Sequence, residues 1–127
     1  MEQLEIEGSA KTPDIKLNAE AGNIEIKGRS IPENSVAFYK PVIDWLSEYE
    51  NNSPDQTTVN IQLEYFNTSS SKCILDLLKK LEGINNGKSN VHINWHYEED
   101  DEDMLEAGED YEAILNLPFK MIEIKEG

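Results

Sequence analysis

Four consecutive hydroxyl residues, Thr68-Ser69-Ser70-Ser71, stand between Asn67 and Lys72. They join two segments of different periodicity. Before them, Val59, Ile61, Leu63 and Tyr65 alternate with polar neighbours, the pattern of a half-buried strand. After them, Ile74, Leu77, Leu78 and Leu81 recur at helical spacing, with Cys73 and Ile84 extending the stripe. The hydroxyls therefore fall at a strand-to-helix turn. The first amides of a helix lack partners within it and carry partial positive charge. A phosphate placed there gains hydrogen bonds and dipole attraction. A hydroxyl at this turn can thus carry a reversible charge switch. Its plainer role is as a helix N-cap, filled by Thr68 or Ser69, because Ser and Thr are favoured there.

The other chemistry-bearing residues point away from catalysis and metal binding. His92 and His96 share one face of a strand but stand about 13 Å apart, too far to hold one ion together. They read as solvent-facing sheet residues. The acidic run from Glu98 to Asp103 lacks the glycine and the spaced glutamate of an EF-hand loop. It reads as a charged loop ahead of a helix, where acids are favoured. Gly83 and Gly87-Lys88-Ser89 follow a helix and precede a strand, the wrong context for a phosphate-binding loop, and the spacing is one residue short. Cys73 beside an apolar stripe reads as a buried structural thiol. No G-x-S-x-G elbow and no acid–base pair at fixed spacing is present. The expectation is a non-enzyme without metal or cofactor.

The elements that must position the turn are legible in outline. Leu4 and Ile6, Ile15 and Leu17, and Ile24 and Ile26 mark three short strands, the last two joined by a turn at Glu20-Ala21-Gly22-Asn23. Phe38, Val42, Trp45, Leu46 and Tyr49 line one face of a helix capped by Asn34 or Ser35. Pro41 predicts either a kink or a helix that starts just before it. Val91, Ile93, Trp95 and Tyr97 form another alternating strand, with Trp95 and Tyr97 in the core. A third helix spans roughly Met104 to Leu115, weakened at Gly108, and Phe119 to Ile124 reads as a last strand. The sequence predicts one domain over residues 1–127. Its fold class is α/β, a sandwich with a mixed β-sheet and helices packed mainly on one face.

Composition sets the outer limits. The chain has 127 residues, 11 basic against 26 acidic, and a formal charge of −15. Such a surface repels nucleic-acid backbones and anionic membranes, so a protein partner is expected. The apolar runs are too short to span a bilayer, and the opening residues lack a secretory pattern. The single Cys73 forms no internal disulfide, and the expected setting is the cytoplasm.

Three motifs in order, Pro32-Glu33-Asn34-Ser35, Tyr65-x-Asn67-Thr68-Ser69-Ser70-x-Lys72 and Trp95-His96-Tyr97, resemble the SiaC-like regulatory phosphoproteins of bacteria. The resemblance runs from the first strands to Pro118-Phe119. It implies a STAS-like fold, related to the anti-sigma-factor antagonists, and a partner-switching module. In that reading a serine/threonine kinase phosphorylates Thr68 and a PP2C-type phosphatase reverses it. The unphosphorylated form binds a downstream protein, in the family a diguanylate cyclase that makes cyclic di-GMP for biofilm regulation. Tyr65, Asn67, Ser69, Ser70 and Lys72 then flank the phosphosite and face the partner, and Ser71 adds a further candidate acceptor. Two other readings stand beside it. One is an anti-sigma-factor antagonist controlling a sigma factor. The other is a small enzyme or ligand-binding domain that uses the hydroxyl cluster directly.

Overall fold

The structure, a computed structural model, describes residues 1–125. Six strands form one sheet in chain order: β1 (Leu4–Ile6), β2 (Asp14–Asn18), β3 (Asn23–Ser30), β4 (Gln56–Phe66), β5 (Asn90–Glu98) and β6 (Phe119–Ile124). The first three are an antiparallel meander, with β2 and β3 joined at the predicted turn. From β3 onward every pairing is parallel. Each parallel step needs a crossover, supplied in turn by α1 (Ser35–Tyr49), α2 (Thr68–Asn85) and α3 (Glu102–Ile114). Crossovers of one hand between neighbouring strands, all advancing in one direction, must lie on the same side of the sheet. The mixed sheet with helices on one face follows from that rule.

The core lies between this face and the helices. Ile15, Leu17, Ile24, Ile26, Val59, Ile61, Val91, Ile93 and Trp95 come from the strands, and Tyr39, Val42, Leu46, Ile74, Leu77, Leu78 and Leu81 from the helices. Alternate residues Lys16, Glu25, Lys27, Asn60, Gln62, Asn94 and His96 cover the bare face with polar groups, as strict alternation requires. His92 is exposed there, and half-buried His96 lies with Nε2 3.3 Å from the Asn60 side-chain oxygen.

Three local expectations change, and one, the cap of α1, is settled between its two candidates. Pro41 neither starts nor closely follows the start of α1, because the helix runs through it from Ser35. Ala37 and Pro41 are both exposed, so water can satisfy the carbonyl that the proline leaves without a donor. The cap of α1 is Asn34, whose side chain accepts from the Ala37 amide at 3.1 Å. Gly108 is a requirement rather than a weakness. A Cβ there would stand 2.5 Å from Trp95 Cδ1, so only glycine lets α3 approach the fully buried indole. Tyr65 leaves the core. The β3–β4 register steps between Gly28 and Arg29, with Leu63 opposite Gly28 but Tyr65 opposite Arg29. Gly28 has φ +127°, a conformation suited to glycine. This bulge leaves Glu64 as the extra residue and inverts the side-chain alternation beyond it. Phe66 turns inward, edge-on to Trp95 at 6.4 Å between centroids, and Tyr65 turns out to solvent, 53% exposed.

Candidate functional site

Parallel topology brings the ends of β3, β4 and β5 to one rim of the sheet, and each helix starts there. Ligand and partner sites of open α/β sheets favour such C-terminal strand ends. The three starts are built alike. Asn34 caps α1, Asn67 caps α2 and Asp101 caps α3, each side-chain oxygen accepting the amide three residues on. They differ in charge. The first turn of α3 carries Glu102 and Asp103, whereas those of α1 and α2 carry no acid. In a chain of charge −15, two helix N-termini thus keep their positive ends uncompensated by acids in the first turn.

The hydroxyl turn occupies the middle start. Asn67, not Thr68 or Ser69, is the cap. Its Oδ1 accepts from the Ser70 amide at 2.9 Å and from the Ser69 hydroxyl at 3.1 Å. Asn ranks at the head of N-cap preferences, so the signal was present in the sequence one residue earlier than expected. Thr68 becomes the first helical residue and is exposed. Its own amide and that of Ser69 belong to the helix start that has no intrahelical acceptor.

The four hydroxyls then divide by what they touch. Ser70 is fully buried and donates to the Ser30 carbonyl at 3.0 Å while accepting from Ser30 Oγ at 2.9 Å. Ser30 Oγ in turn accepts from the Tyr39 hydroxyl at 2.6 Å. Burial pushes the Tyr39 phenol up to about 12, which keeps it a proton donor at any ordinary pH. Ser69 is bound to Ser35 Oγ at 2.8 Å, tying the first turns of α1 and α2 together. Ser71 meets Tyr111 of α3, which donates to the Ser71 carbonyl at 2.9 Å and takes the Ser71 hydroxyl at 3.0 Å. Burial raises the Tyr111 pKa against the opposing hydrogen bond from Ser71. Thr68 Oγ1 alone of the four has no hydrogen-bond partner among the described residues.

Of the sequence-predicted residues, Thr68, Ser69 and Lys72 are exposed on this turn, Asn67 is half-buried as its cap, and Ser70 is sequestered beneath it. Tyr65 reaches the same rim by way of the bulge. Ser30, Ser35, Tyr39 and Tyr111 complete the arrangement, and sequence reasoning missed all four as supports of the turn. Buried Cys73 lies in the core with its thiol pKa raised, first by burial and then by Asp76. One depression of about 430 Å³ lies on the bare sheet face beside Lys27, Glu64, His96 and Glu98, and none of the four hydroxyls lines it. No described helix is long and apolar enough to cross a membrane.

Residues 6–124 match the family described as SiaC family regulatory phosphoprotein. The chain belongs to the SiaC family. An uncharacterised protein of Pseudomonas aeruginosa is 34% identical over 119 residues, covering 94% of both chains. Among solved structures, SiaC of Pseudomonas aeruginosa superposes with a TM-score of 0.88 at 31% identity, over 98% of this chain and 100% of that one. A second, the diguanylate cyclase SiaD in complex with its activator SiaC from Pseudomonas aeruginosa, matches at a TM-score of 0.89 and 32% identity, over 95% of this chain and 99% of that one. The mixed sheet with one helical face is therefore the SiaC fold.

Proposed function

We propose that this SiaC-family chain is a non-enzymatic phosphoswitch that controls a diguanylate cyclase, and that Thr68 is its acceptor. A serine/threonine kinase transfers the γ-phosphoryl group of ATP to Thr68 Oγ1, and a PP2C-type phosphatase hydrolyses it. The unmodified form binds the cyclase. The observation that carries the reading is the state of Thr68: exposed, at the first position of α2, and the one hydroxyl of the turn without a partner among the described residues. Ser70 is out of reach of a kinase, and Ser69 and Ser71 would each give up hydrogen bonds that hold helices together. The relative that forms a complex with SiaD supports the choice of a cyclase as partner.

A phosphate brings a charge of roughly −1.5 to −2, which the acid-free starts of α1 and α2 tolerate in free protein. The same charge pressed into a dry contact loses its water and costs far more unless paired. Binding falls while the fold stays. The test is to phosphorylate the protein with its kinase, map the phosphate by mass spectrometry, and measure cyclase affinity for both forms side by side. The expected result is phosphate on Thr68 and at least about tenfold weaker binding, equal to roughly 1.4 kcal/mol. Phosphate confined to the neighbouring serines, or equal affinities, would overturn the proposal.

A further inference from the structure

We infer that Val36 and Tyr65 are the apolar anchors by which the unmodified protein holds the cyclase, with Thr68 as the gate at their contact. The inference rests on the phosphoswitch reading above and adds to it the residues that carry the affinity.

Among the described residues four large hydrophobic side chains are exposed: Met1, Val36, Tyr65 and Ile114. Two of them belong to the rim that bears Thr68. Val36 follows Ser35, whose hydroxyl bond to Ser69 at 2.8 Å fixes the start of α1 beside the start of α2. Tyr65 stands two residues before the cap Asn67. The chain therefore presents one exposed apolar side chain at each of two neighbouring β–α junctions of the same rim.

Neither residue is explained by folding. Val36, 73% exposed in the first turn of α1, is β-branched and gains nothing from the helix dipole. An acid would be favoured there, and this chain uses acids freely elsewhere. Tyr65 would continue the buried row of β4 if the alternation held, and the bulge re-aims it to solvent. Bulges are enriched next to functional sites for this reason. Tyr is also among the residues that dominate protein interfaces, offering a large rigid surface at low entropic cost.

The occupant is the diguanylate cyclase of the proposed function, the class of protein with which a structural relative at 32% identity forms a complex, and the apolar rim residues call for apolar sockets on its folded surface. The first turns of α1 and α2 hold no acid, so they offer it positive helix ends beside the exposed Val36 and Tyr65. A phosphate on Thr68 would carry into such a contact a charge of roughly −1.5 to −2 that the single cation of Lys72, one turn on, does not balance, which links the anchors to the switch.

The experiment uses the full chain and the purified diguanylate cyclase of its own cell. Affinities are compared for wild type, Val36→Ser, Tyr65→Thr and Ile114→Ser, the last a control exposed away from the rim. Thermal melts verify that each variant is folded. A photo-crosslinking side chain introduced at 36, 65 or 114 gives a second reading independent of affinity. Binding at least tenfold weaker for both rim variants, within twofold for Ile114→Ser, with crosslinks from 36 and 65 only, supports the anchors. Wild-type binding with both rim variants within twofold, or crosslinks absent from 36 and 65, overturns this inference and leaves the phosphoswitch standing. Absence of wild-type binding to the cyclase overturns the reading on which it rests.

Discussion

Replacing Asn67 by alanine should destabilise the protein, whereas replacing Thr68 should not. Asn67 Oδ1 serves the Ser70 amide and the Ser69 hydroxyl, and the amide it serves belongs to a fully buried residue. Loss of an Asn cap costs about 0.5–2 kcal/mol, and the buried setting places this one in the upper half of that range. Unfolding entropy of about 2.1 cal/mol/K per residue gives a 127-residue chain about 0.27 kcal/mol/K at its midpoint. A loss of about 1.3–2 kcal/mol therefore lowers the Tm by about 5–7 °C. Thr68→Ala removes a hydroxyl without a partner among the described residues and puts the best helix former at a helical position, so its Tm should stay within about 2 °C of wild type. Asn67→Asp keeps the acceptor and places a negative charge at the helix N-terminus, worth about 0.3–1 kcal/mol. It should match or exceed wild type. Differential scanning calorimetry of the three variants decides the matter. If Thr68→Ala costs as much as Asn67→Ala, Thr68 is a structural cap and its freedom for modification is refuted.

Two further outcomes test the packing around the site. Gly108→Ala should lower the Tm by several degrees, because about 1 kcal/mol of helix propensity cannot offset overpacking of about 1–3 kcal/mol and strain on the Trp95 bond to the Met104 carbonyl. A shift in tryptophan fluorescence should accompany it, and a raised Tm would show that the indole yields easily. His96 has its pKa lowered by burial and then by Lys27, so the unfolded chain binds the extra proton first as pH falls. Stability should be complete above about pH 6.5, the unfolded value, and decline as pH drops below it. His96→Gln should flatten that part of a melt series run from pH 7.5 to 5.5, and parallel curves for the two proteins would count against the assignment.

Most of the fold was legible because its periodicities are clean. Val59, Ile61 and Leu63, then Ile74, Leu77, Leu78 and Leu81, state strand and helix without ambiguity, and alternating β and α elements imply parallel pairing on one helical face. The turn was legible for the same reason, since it lies where period two gives way to period 3.6. What escaped has tertiary causes. The bulge at Gly28 and Arg29 is a two-strand event, and nothing in the β4 row alone shows that Tyr65 and Phe66 exchange faces. Gly108 looks like a weak helix residue until Trp95 arrives beneath it. Ser30, Tyr39 and Tyr111 are remote in sequence from the residues they support, at separations of 40 residues for Ser30–Ser70 and Ser71–Tyr111. The misassignments of local origin were the cap, because Asn67 precedes the hydroxyls that seemed the natural candidates, and the start of α1, which lies six residues before Pro41.

The division of labour among the four hydroxyls explains how one small modification could act on binding without acting on the fold. Ser69, Ser70 and Ser71 are committed to α1, β3 and α3 respectively, so the start of α2 is fixed from three directions. Asn67 closes the helix end with its side chain. With capping and tethering assigned to neighbours, the first helical position carries no structural duty, and a bulky dianion there displaces no internal hydrogen bond. A switch at Ser70 would have to break the buried bond to the Ser30 carbonyl and uncover a core residue. A rigid frame around a side chain without duties confines the consequence of a phosphate to whatever surface is pressed against the rim. The change is then one of affinity, reversed as soon as the phosphate is removed.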